Sequence, residues 1–81
     1  MTLKIIYRKN LKMSPGKIAA QAVHAAIGLG VVSYSTRVVV LAVSDKKFDE
    51  ITSMENCFIV HDAGHTEVAP GTATCAAYFG A

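Results

Sequence analysis

An α/β fold is expected from three features of this 81-residue chain. Its hydrophobic periodicity switches between alternation and helical spacing in the order βαβαββ, and helices interleaved with strands imply a sheet that they cover. Within residues 36–43, the run after Arg37 is apolar without a break, the pattern of a strand buried on both faces, as in a parallel sheet. Hydrophobic residues make up 52% of the chain, which is a globular composition rather than a disordered one.

Residues 3–8 read as the first strand, with Leu3, Ile5 and Tyr7 alternating onto one face. Residues 9–13 read as a loop. A helix then runs from Ser14 to about Gly28. Ser14 is a suitable N-cap, and Pro15 suits the first turn because its missing N–H would be unbonded there anyway. Gly28 and Gly30 act as stop signals. The strand over residues 36–43 follows. Ser44 caps a short helix over residues 45–54, with acidic side chains favourably placed near its start. Residues 57–60 form a third strand, Pro70 and Gly71 punctuate, and residues 72–79 form a fourth. No repeat, low-complexity tract or linker divides the chain, so residues 1–81 are expected to form one domain. A chain of this size buries only roughly 60–65% of the surface its unfolded form exposes, so oligomerisation would supplement a thin core.

The first helix carries the most telling pattern. Spacings of four and three residues bring Lys17, Gln21 and His24 into one stripe, on a helix otherwise made almost entirely of Ala, Ile and Val. A cation, an amide and an imidazole so placed point to a site rather than a solvated face. Charge is also segregated: the first 44 residues hold six of the eight Lys and Arg residues and none of the six acids. Arg8, Lys9, Lys12 and Lys17 cluster at the turn that opens the helix, where cations and free backbone N–H groups suit phosphate.

Cys57 and Cys75 have no metal-motif spacing and lie in apolar strand-like runs, so buried free thiols in a reducing compartment are expected. The N-terminus leads directly into a strand, with no signal peptide visible. Residues 18–36 lack charge, but they are rich in Ala and Gly and include Gln21, His24, Ser33, Ser35 and Thr36, which suit lipid poorly. A soluble, cytoplasmic protein with no membrane partner is expected.

Two motif blocks resemble the type 2 peptidyl-tRNA hydrolase family, the archaeal and eukaryotic type. The first is Gly16-Lys-Ile-Ala-Ala-Gln21 with His24-Ala-Ala26. The second is Asp62-Ala-Gly64 with Thr66 and Ala69-Pro-Gly-Thr72. Arg8, Leu11 and Met13 also fit the family's entry to the helix. The resemblance implies a three-layer α/β/α fold with a mixed four-stranded sheet. It also implies hydrolysis of the ester bond of peptidyl-tRNA without a metal or organic cofactor. It places Lys17, His24, Asp62 and Thr66 at the catalytic positions, and Arg8, Lys12, Gln21 and His65 as substrate-binding residues. By resemblance, Lys17 stabilises the oxyanion or holds the terminal phosphate, and His24 polarises water or shuttles a proton. Asp62 orients His24 or a water, and Thr66 hydrogen-bonds that water or the ribose. Asn10, His65 and Glu67 stand where the family commonly has Asp, Arg and Gln. The chain is also shorter than typical members, notably between the first helix and the second strand. That shortening should leave apolar surface for a partner subunit to cover, giving a homo-oligomer, most simply a dimer.

Competing readings are weaker. His61, Asp62 and His65 are close in sequence, but His61 and Asp62 point to opposite faces of a strand end, which disfavours zinc. Gly16-Lys17 lacks the earlier Gly of a phosphate-binding loop, and Ile18 replaces the required Ser or Thr. A non-enzymatic tRNA- or RNA-binding module derived from the hydrolase is the serious alternative.

Overall fold

The computed structural model describes residues 1–31, 33–64 and 67–80. Strand β1 (Thr2–Arg8) leads through a single 3₁₀ turn (Lys9–Leu11) into helix α1 (Pro15–Leu29), and strand β2 (Arg37–Val43) leads into helix α2 (Asp45–Met54). Strands β3 (Phe58–His61) and β4 (Ala73–Gly80) complete the chain. The four strands lie in the order β2-β1-β4-β3. The β1–β2 pair is parallel, and β4 is antiparallel to both β1 and β3. The mixed four-stranded sheet is therefore as expected.

Each face of the sheet has its own apolar cluster. Leu3, Ile5, Val60, Cys75 and Ala77 pack with Ala25 of α1. On the other face Ile6, Ala76 and Tyr78 pack with Phe48 of α2. Two helices on opposite faces make three layers. Strands β1 and β4 are interior, and the small residues Thr74, Cys75, Ala76 and Ala77 of β4 have no exposed surface, so α1 approaches closely. Burial pushes the Cys75 thiol up to about 12, so it stays protonated and inert. Cys57 is only partly buried, and its thiol too is raised by burial.

Both helix starts follow their sequence signals. Ser14 Oγ accepts from Lys17 N and Ser44 Oγ from Lys47 N. Each such cap contributes about 1 kcal/mol. At the other end of α1 the stop is Gly30, at φ +92°. Gly28 lies within the helix and does not end it. The reason for glycine there is steric: a Cβ at residue 28 would collide with the ring of Phe58.

β2 overturns one expectation. It pairs in parallel with β1, but it is an edge strand and is not buried on both faces. Val38 and Val40 are 50% and 46% exposed on the α1 side, and Leu41 is 45% exposed on the other. Helix α1 lies chiefly over β4, β1 and β3, and the short connection after Gly30 contributes no helix to cover β2. Among the described residues no helix is long and apolar enough to cross a membrane.

Candidate active site

Asp62 is the hub. The ladder between β3 and β4 is irregular between Val60 and His61, and the chain then turns through a tight loop. Asp62 N donates to Thr72 O at 2.9 Å, and Gly71 N donates to Asp62 O at 2.6 Å. Gly64 N donates to Asp62 Oδ1 at 2.6 Å. Gly64 sits at φ +82°, and a Cβ there would meet Pro70. The Asp62-Ala-Gly and Ala-Pro-Gly segments thus form one unit, closed by Gly64 against Pro70, which holds the Asp62 carboxylate in place.

That carboxylate is aimed at α1. Lys17 Nζ and Gln21 Nε2 each donate to Asp62 Oδ2 at 2.5 Å. The side chains of Lys17 and Asp62 are only 13% and 5% exposed. A lysine in a first helical turn opposes the helix dipole, and the carboxylate offsets this. The hydrogen bond from Lys17, reinforced by the Gly64 N–H, holds the Asp62 carboxyl below its ordinary range against the opposing effect of burial.

Gln21 is buried because it shares the sheet-facing side of α1 with Ala25. Its Oε1 is buried without a hydrogen-bond partner. A buried acceptor left unpaired costs about 1–3 kcal/mol, so the site holds an unmet demand for a donor. One turn on, His24 is exposed. Lys17, Gln21, His24 and Asp62 all line one cleft of about 650 Å³ between α1 and β3. Its far end is apolar, formed by Ile27, Gly28 and Phe58.

The structure brings these four together and sets others apart. Asp62 is turned to Lys17 and Gln21 rather than to His24. Arg8 lies across the sheet, on the α2 side, where its Nε donates to Asp45 Oδ1 at 3.0 Å and its NH1 donates to Ala73 O at 2.8 Å. Arg8 thereby ties β1 to the start of α2. Its guanidinium holds the Asp45 carboxyl below the ordinary range, and Asn10 adds to this. An Asp at residue 10 would instead set a second carboxylate nearby. Lys12 is exposed at φ +53°, where it ends the 3₁₀ turn. His61 is exposed, with Nδ1 3.3 Å from Gly71 O. His65 and Thr66 lie outside the described residues.

Sequence reasoning missed one contact. Glu67 reaches back to the start of α1: Ser14 N donates to Oε1 at 2.7 Å and Ser14 Oγ to Oε2 at 2.5 Å. These bonds hold the Glu67 carboxyl below its ordinary range. The helix N-terminus expected to welcome phosphate therefore already carries a carboxylate. The only local signal was an acid in the second motif block; its partner lies 53 residues away. Glu67→Gln keeps a hydrogen-bonding group there and removes the charge. It should tighten binding of a phosphate-bearing polyanion severalfold at low ionic strength, with the gain shrinking as salt is added in a binding titration.

Among the described residues, Asp62, Asp45 and Glu67 are carboxyls with lowered pKa. Such a group contributes stability that is complete above its ordinary value and is lost as pH falls through the depressed one. The urea midpoint should therefore hold steady from neutral pH to about pH 5 and fall below that. Asp62→Asn should flatten part of this acid limb.

Comparisons with known proteins find relatives over most of the chain. Residues 1–36 match the family model described as peptidyl-tRNA hydrolase PTH2. The chain is 36% identical to the peptidyl-tRNA hydrolase of Methanothermobacter thermautotrophicus over 87 positions, covering 88% of this chain and 78% of that protein. Identity to the peptidyl-tRNA hydrolase of Haloquadratum walsbyi is 34%, covering 95% and 83%. For that of Thermoplasma acidophilum it is 36%, covering 88% and 77%. The alignments cross gaps where these relatives carry residues that this chain lacks: 87 aligned positions exceed 88% of 81 residues.

Proposed function

This chain belongs to the PTH2 peptidyl-tRNA hydrolase family, and on that premise we propose that it hydrolyses the ester of peptidyl-tRNA, releasing peptide and free tRNA. The observation that carries this reading is the Lys17–Asp62–Gln21 cluster at the polar end of a cleft that His24 also lines. Water attacks the ester carbonyl; its hydroxyl stays on the acyl carbon and its hydrogen goes to the departing ribose oxygen. Negative charge develops on the carbonyl oxygen, and a fixed ammonium in a half-dry site stabilises it without reorganisation. Lys17 supplies that charge.

Asp62 acts as the holder of Lys17 and Gln21, since its two oxygens already accept three donors. Gln21 Oε1 accepts from the water or a ribose hydroxyl, which meets its unpaired state. His24 carries the proton between water and the leaving oxygen, with Thr66 assisting at the water or the ribose. Lys12 and His65 contact the tRNA backbone. Arg8 acts at a distance, fixing the end of β1 through its bonds to Asp45 and Ala73. Hydrolysis of this substrate places the protein with translation, in the cytoplasm.

The test is cleavage of an N-blocked aminoacyl-tRNA in the presence of chelator. Release of the acyl group is the expected result. Binding of tRNA with the ester left intact would instead identify a binding module.

A homodimer completes the proposal. Val23, Val38 and Val40 are each about half exposed and rim an apolar hollow floored by Leu3, Ile5 and Val31. A second copy covers this surface. Sedimentation at micromolar concentration should show a dimer, and the Val38→Lys, Val40→Lys double variant should sediment as a monomer; a wild-type monomer would contradict the assignment.

A further inference from the structure

We propose that the apolar end of the cleft seats the base of the substrate's terminal adenosine, which stacks on Phe58. This rests on the hydrolase reading and assigns the part of the cleft that the chemistry leaves unused.

Three observations carry it. First, Phe58 occupies a core-facing position of β3, two residues before Val60, which is 8% exposed, yet Phe58 is itself 41% exposed. An aromatic ring on the inner face of a strand is expected to be covered, and this one is open to the cleft. Second, the ring is backed on one side by α1. It lies directly against the α1 backbone at Gly28, where any Cβ would collide with it. A half-open aromatic surface is what a planar ligand requires. Third, the spacing suits a nucleoside. Gly28 lies one helical turn beyond His24, about 6 Å along the axis, and a ribose spans a comparable distance between its ester oxygen and its base.

Around the ring the cleft is lined by Ile27 and the β3 backbone, and among the described residues no charge lies there to hold a phosphate. The remaining candidates are the base and the acyl side chain. The base is favoured because every substrate presents the same one, whereas the acyl side chain varies, and one rigid surface matches an invariant group.

The experiment uses two substrates and one probe. Wild type, Phe58→Leu and Gly28→Ala are given the N-acetyl-aminoacyl ester of adenosine and the same ester of base-free ribose, and adenosine 5′-monophosphate binding is titrated separately. Phe58→Leu should raise KM for the adenosine ester roughly 5- to 100-fold, the range of one base–aromatic stack. Its kcat, and its KM for the base-free ester, should not change. Gly28→Ala should weaken nucleotide binding by displacing the ring, with the far-ultraviolet circular dichroism and cooperative thermal unfolding of wild type retained. That separates a displaced ring from a damaged fold. Equal losses on both esters would assign the ring to the acyl chain and overturn the proposal, as would nucleotide binding that ignores both substitutions. Nucleotide binding that depends on Phe58, in a protein that cleaves neither ester, would refute the hydrolase reading and retain the base seat.

Discussion

Asp62→Asn lowers kcat/KM for an N-blocked aminoacyl-tRNA by roughly 10²-fold or more, the usual loss when one oxyanion-stabilising device is removed. The carboxylate accepts from Lys17, Gln21 and Gly64 at once. Asparagine retains one oxygen, which suffices for the Gly64 N–H and the turn. At the other position it presents an amide donor to an ammonium and a second amide. Lys17 then loses its counter-charge and its fixed place, although it is not itself altered. Lys17→Ala should cost at least as much, because it removes the charge outright. Steady-state kinetics with a circular-dichroism control checks both; activity within twofold of wild type in either variant would remove that residue from the chemistry.

Ile6→Ala should be the most damaging single change to stability among those considered. Ile6 has no exposed surface and packs with Phe48, Ala76 and Tyr78 beneath α2. Its alanine neighbour cannot expand into the space left behind. Emptying such a position costs about 2–5 kcal/mol, equivalent in a domain of this size to a fall in Tm of roughly 10–30 °C. Val40→Ala makes the contrast. Val40 is paired with Ile5 in the adjacent strand but is 46% exposed. In a dilute sample its loss should be small, and it should grow with protein concentration if a second copy covers β2. Thermal melts at two concentrations distinguish these outcomes.

The parts of the molecule that local chemistry dictates were legible in the sequence. Lys17, Gln21 and His24 share a cleft because helical spacing puts them there, and Ser14 and Ser44 cap because a serine before an apolar or acidic first turn does so. Properties set by sheet order were not legible. Residues 37–43 are as apolar as a central strand, yet the order β2-β1-β4-β3 leaves them at an edge and puts β4 in the middle. The cue in β4 was its run of small side chains, which lets α1 approach it closely. Gly28 looked like punctuation because a glycine near a helix end usually is; its role depends on Phe58, from a strand formed 30 residues later. The Glu67 contact with Ser14 and the Arg8 contact with Asp45 are likewise long-range, and no periodicity encodes them. The pairing of Lys17 with Asp62 is also long-range; the resemblance set Asp62 against His24 or a water, and the fold sets it against Lys17 and Gln21 instead.

On the proposed reading Lys17 and Asp62 work as one catalytic unit. A double-mutant cycle on single-turnover ester cleavage tests it most directly, using wild type, Lys17→Ala, Asp62→Asn and the double variant in chelator. Residues acting as a unit show strongly non-additive losses. The double variant should be no slower than the worse single variant. Losses that multiply, or a wild type that leaves the ester intact, would contradict it.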